Sequence, residues 1–233
     1  CCHDLDILSW LVGTPLETVS SFGSLSHFCA ANKPEGAPEY CLDGCEHRDT
    51  CPYYAPRFYL EHPKAIEDGF QKILTMDTTR EGMLKALEKG PYGRCVYGCD
   101  NTVVDHQVVN LNYQGGVTVS MTMSAFTKEC ERNIILMGSH GQIFGNMEKS
   151  LIEVRDFATG NTTTIHVHTP VGRHSGSDTV MMKEFLTVIT SEGAQSRSNA
   201  DASVESHLAA LAAEESRLMN GKPVFIQEEY KKI

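Results

Sequence analysis

Apolar residues fall along this chain in two periods, one helical and one alternating. Leu5, Ile7, Leu8, Leu11 and Val12 recur at helical spacing and stop at Gly13-Thr14-Pro15, which predicts a helix over 4–12. Residues 16–28 are rich in β-branched, Ser and aromatic side chains and read as a strand. Over 29–63 the apolar rhythm gives way to Pro, Gly, charge and cysteine. So long a stretch without periodicity in a compact fold is functional or held by something, and a Cys-rich insertion is expected there. Met83, Leu84 and Leu87 mark a helix over 78–89, begun by Thr and stopped by Gly90-Pro91. Segments 103–113 and 117–126 flank Gln114-Gly115-Gly116 as a hairpin. Strands follow at 133–137, 142–144, 151–157 and 162–168, and 151–157 alternates as a strand with one wet face does. Helices over 178–191 and 202–220 complete the series, the second ending at Asn220-Gly221-Lys222-Pro223.

Runs of strands followed by runs of helices argue for an α+β fold rather than a strictly alternating one. The expectation is a single domain over 1–233, with one large open, mainly antiparallel sheet and helices packed on one face. Composition then narrows the function. A formal charge of −10, with no Lys/Arg-rich run, makes a poor partner for a phosphate backbone, so nucleic acid is not expected. No run of 18 apolar residues exists to span a membrane. The chain opens Cys1-Cys2-His3-Asp4 inside a helical pattern, without the basic and apolar regions of a signal peptide, so a fragment of a longer, cytoplasmic protein is expected. Nine cysteines in a reducing compartment point to metal ligands before disulfides. There is no G-x-G-x-x-G between strand and helix, and no G-x-S-x-G, H-E-x-x-H or Walker A sequence.

Three groups of residues could carry chemistry. His3 and Asp6 share a helix face, with Asp4 in the first turn. First-turn acids suit the helix dipole, whereas a His there can serve as a general base. Asp105-His106 is a polar pair within the apolar run Val103, Val104, Val108, Val109, so it must be paired or face solvent or a ligand. His174 and Asp178 lead into a helix. Asp178 is either its N-cap or, with His174, a donor and acceptor for hydroxyl groups.

The segment from His3 to Gly13 resembles the H-x-x-D-x-x-x-x-L-x-G start of the C-terminal domain of the Gfo/Idh/MocA family, the relatives of glucose–fructose oxidoreductase and inositol dehydrogenase. Tyr92-Gly93-Arg94-Cys95-Val96-Tyr97 through Asp100 to Gln107 is similar to the start of that family's sheet in a cysteine-containing branch. Gly172-Arg173-His174-Ser175-Gly176-Ser177-Asp178 is similar to its G-H-G-G-G-D helix start. The three lie in the family's order along essentially the whole chain.

The resemblance implies an N-terminal Rossmann domain, absent from this chain, that binds NAD or NADP. This chain would then be the substrate-binding and oligomerisation domain of a dehydrogenase acting on a sugar or polyol, assembling as a homo-oligomer through its sheet. His3 would be the catalytic base, with Asp4, Asp105, His106, His174 and Asp178 at the substrate. A non-catalytic carbohydrate-binding module and an NAD-dependent glycosidase-type relative are the alternatives.

The cysteines Cys41, Cys45 and Cys51, within eleven residues of a stretch that lacks an apolar core, suggest a metal tie in place of packing. Zinc needs a fourth ligand. Cys2 is the first choice, because the family branch writes C-H-D there, and His27, Cys29, His47 and Cys99 are alternatives. An iron–sulfur cluster and free buried thiols are the other readings. Cys95 and Cys130 are expected as small core residues.

Overall fold

The computed structural model describes residues 1–168, 176–192, 196 and 200–226, with only the backbone at 201 and 202. The chain forms two compact units. One comprises Cys1–Thr14 and Phe126–Ala210, here the first unit; the other, the second unit, comprises Pro15–Ala125 and Leu211–Ile233.

The second unit is built on a four-stranded antiparallel sheet of β1 (Leu16–Ser24), β2 (His106–Tyr113), β3 (Thr118–Ser124) and β8 (Val224–Phe225), in the order β3-β2-β1-β8. Gly115 and Gly116 both have positive φ in the β2–β3 turn, as the hairpin expectation required. Leu16 pairs with Tyr113 but Thr18 pairs with Asn112, so Glu17 is an extra residue that bulges β1. The bulge shifts the alternation, and Leu16, Val19 and Ser21 all turn to the core beside Tyr113, Leu111 and Val109.

The C-terminal part of α7 (Ala200–Leu218) belongs to this unit from Leu211 onward. Its Ala212, Ala213 and Ser216 are buried, small enough to let the helix approach β1. The Ser21 N–H donates to Ser216 Oγ at 2.9 Å, where β1 has run beyond its β8 partner. Asn220 and Gly221 end α7 with positive φ, and the Gly221 carbonyl accepts from Ser20 Oγ at 2.8 Å.

The insertion is partly helical, a correction to the structureless stretch expected. Turns and a short 3-10 segment lead into α2 (Ala55–Glu61) and α3 (Pro63–Glu67), then α4 (Gln71–Leu74). Pro56 and Pro63 sit in the first helical turns, where a missing N–H costs nothing. Helix α5 (Arg80–Lys89) is capped by Thr79, whose Oγ1 accepts from the Gly82 N–H.

The first unit holds α1 (Cys2–Val12), closed by left-handed Gly13 as anticipated. It also holds β4 (Asn133–Met137), β5 (Gly141–Asn146), β6 (Leu151–Asp156) and β7 (Thr162–His166) as a second antiparallel sheet in sequence order, and α6 (Ser177–Thr190). The α+β, mainly antiparallel reading holds, and the strands expected in one large sheet are shared between two of four. No helix among the described residues is long and apolar enough to cross a membrane.

Candidate functional site

His3 stands exposed in the first turn of α1, with its Nδ1 3.3 Å from Cys2 Sγ. The turn is anchored by its neighbour. Asp4 Oδ1 accepts from Arg132 Nε at 2.7 Å. Arg132 is held in turn: its N–H donates to Glu148 Oε2 at 2.6 Å. Asp4 is thus engaged in fixing the helix start. Sequence reading missed Arg132, whose signal was a charged run, Lys128 to Arg132, placed directly before a strand. Asp178 is exposed in the first turn of α6, and Gly176 takes the N-cap position that Asp178 was a candidate for. His174 lies outside the described residues.

In the second unit Asp105 is almost fully buried, at 3% exposure. Its Oδ2 accepts from the backbone N–H groups of Ser26 (2.9 Å), His27 (2.7 Å) and Phe28 (3.3 Å), and its Oδ1 from His106 Nδ1 (2.8 Å). Burial alone would raise this carboxyl. The donors around it, His27 N–H and the His106 ring foremost, more than offset burial and hold it well below the usual carboxylate range. The same bonds explain why β1 stops at Ser24 rather than running on to 28: the next N–H groups point at Asp105 instead of a neighbouring strand.

Asp105 as acceptor also fixes the His106 proton on Nδ1. Nε2 then faces Ser24 Oγ at 3.4 Å as an acceptor. The result is an imidazole of set tautomer and orientation, about half exposed, on a rigid strand. The pair was expected because a charge in an apolar run needs partners. The three-amide cradle of 26–28, which supplies most of them, carried no sequence signal.

All nine cysteines are free thiols. Among the described residues no three His, Cys, Asp or Glu side chains converge into a metal-holding group, so the expected set of Cys2, Cys41, Cys45 and Cys51 is not assembled. Two further expectations need correction. Cys130 is exposed, not a core residue. Cys95, also expected in the core, is only partly buried and shares a small cavity with Cys41, Cys45 and Cys51.

Solved structures resemble this fold at low identity. Levoglucosan dehydrogenase in complex with NADH and levoglucosan is 15% identical with a TM-score of 0.56, over 97% of this chain and 48% of that one. UDP-N-acetylglucosamine 3-dehydrogenase GnnA from Acidithiobacillus ferrooxidans is 11% identical with a TM-score of 0.52, over 92% of this chain and 44% of that one. A super-repressor mutant of Gal80p from Saccharomyces cerevisiae is 11% identical with a TM-score of 0.55, over 97% and 48%. The chain therefore spans under half the length of these proteins. No curated protein sequence matches it significantly. Residues 1–224 match the model of the oxidoreductase family, C-terminal alpha/beta domain, and the chain belongs to that Gfo/Idh/MocA family.

Proposed function

We propose that the full-length protein is an NAD(P)-dependent dehydrogenase that oxidises a hydroxyl of a sugar or polyol, and that this chain is its substrate-binding and oligomerisation domain. The observation that carries the reading is the family match together with an exposed imidazole, His3, on a helix start anchored by Asp4 and Arg132. Two of the structurally similar proteins are dehydrogenases of sugars or sugar nucleotides by their names, which supports the substrate class.

The nicotinamide coenzyme, when bound, supplies the hydride acceptor. This chain has no dinucleotide fingerprint, so its residues are assigned to substrate and proton. His3 takes the hydroxyl proton on Nε2, since Cys2 Sγ lies against Nδ1. His174 and Asp178 hydrogen-bond neighbouring hydroxyls. His106, oriented by Asp105, adds a further acceptor, and Asp4 serves chiefly through the anchoring of α1. Association through a sheet face makes a homo-oligomer, and nine free thiols suit a cytoplasmic location.

The test is a panel of sugars and polyols with NAD+ and NADP+, followed by absorbance of the reduced coenzyme in the full-length protein. His3→Ala is expected to lower kcat by roughly 100-fold or more on any turned-over substrate, the usual scale for loss of a general base. An unchanged kcat removes His3 from the chemistry. A second reading has its own support: Gal80p, a protein named as a repressor, shares the fold. Sugar binding in calorimetry without coenzyme reduction across the panel would establish that non-catalytic role.

A further inference from the structure

The stretch from 29 to 54 contains no buried residue, and only Ala55 and Pro56 are buried before Pro63. Its packing is confined to contacts such as Tyr53 against the rings of His27, Phe28 and Tyr97, and its backbone gathers cysteines. Tyr40 and Arg94 form an isolated antiparallel bridge, with Cys41 N–H donating to the Gly93 carbonyl and Cys95 N–H to the Glu39 carbonyl, each at 2.8 Å. Across such a bridge Cys41 and Cys95 are diagonal neighbours on one face. Two tight turns, Arg48 N–H to the Cys45 carbonyl and Cys51 N–H to the His47 carbonyl, fold the other two thiols back toward them. All four line one cavity of about 20 Å³.

We propose that Cys41, Cys45, Cys51 and Cys95 form a structural zinc site, a closed tetrathiolate that ties the insertion to the segment after α5. The cavity is close to the volume one water-sized sphere needs, which suits a single ion. Supporting hydrogen bonds are already in place. The Ala55 N–H, at the start of α2, donates to the Cys41 sulfur, and Arg57 Nη1 donates to the Cys51 carbonyl at 3.1 Å.

The binding step balances in protons: the four S–H protons leave to solvent as four Zn–S bonds form. The sulfurs line the cavity without standing at bonding distance from a common point. A χ1 step between staggered wells moves a sulfur by about 3 Å, and this is the movement by which the ion would draw the set together. His47 lines the same cavity, but its Nε2 is hydrogen-bonded to the Glu35 carbonyl at 2.8 Å.

Elemental analysis of full-length protein purified without added metal or chelator is expected to give about one zinc per chain, with X-ray absorption showing four sulfurs near 2.3 Å. Replacement by Co2+ should produce an intense sulfur-to-cobalt charge-transfer band. Cys95→Ser should lose at least about nine-tenths of the zinc, whereas Cys2→Ser and His47→Ala keep it. Wild-type protein that neither carries zinc nor develops the cobalt band overturns the site, as does iron with acid-labile sulfide. Loss of zinc in Cys2→Ser or His47→Ala overturns the ligand set. The wild-type measurements decide the matter even where a cysteine variant fails to fold.

Discussion

The two sheets are built from similar alternating strands and end in different environments. In the second unit Val109, Leu111 and Tyr113 of β2 are at most 2% exposed, because small residues of α7 close over β1 beside them. In the first unit β4 leaves Ile135 at 52% and Met137 at 83% exposure, and every residue of β7 is exposed. Helix α6 of that unit likewise exposes Val180, Met181, Phe185 and Ile189. Apolar alternation makes a strand, and a core forms only where something of the right depth covers it.

The largest effect should come from truncating the covered sheet. Leu111→Ala is expected to lower unfolding free energy by about 2–5 kcal/mol, and Ile135→Ala by less than about 1 kcal/mol, measured by denaturant titration. Equal losses would erase the distinction, and a large loss at Ile135 that depends on protein concentration would show a partner chain covering β4.

Next is Asp105→Ala, which leaves the N–H groups of Ser26, His27 and Phe28 without their acceptor and costs about 2–3 kcal/mol in thermal or chemical denaturation. Its pH dependence has a definite sign. The folded carboxyl lies below its unfolded value of about 3.9, so its contribution is complete above that pH and drains away as pH falls toward the folded value. The variant should therefore show a flatter acid limb below about pH 4. An identical limb in variant and wild type would refute Asp105 as the buried anchor.

Smallest is Arg132→Ala in the first unit. Its exposed ion pair with Asp4 is worth less than about 1 kcal/mol, and the difference should shrink in high salt. A salt-independent loss above about 2 kcal/mol would mean that the first unit has a polar core of its own.

Element types were mostly legible in the sequence because each rests on local chemistry: Gly13 after an apolar helix, Thr before α5, Gly115-Gly116 between β2 and β3. What escaped depends on distant partners. The two-residue β8 exists only because β1 offers Thr18 and Val19 to it. The short helices α2 to α4, of seven, five and four residues, span too few turns to show a period. The polar pair at 105–106 was legible as a demand for partners, but the donors lie nearly eighty residues earlier in the chain. Cys95 looked like filler because its companions in the cavity are more than forty positions away.

Glu17 also governs how this chain tolerates length changes. Deleting it would restore strict alternation along β1. Thr18 already pairs with Asn112 and Val19 with Leu111, so Leu16, Val19 and Ser21 would keep facing inward and the Ser21 amide would keep its aim at Ser216. A strand that counts one residue more than its partner thus holds a spare place: the chain can be shortened by one there without turning a single side chain over.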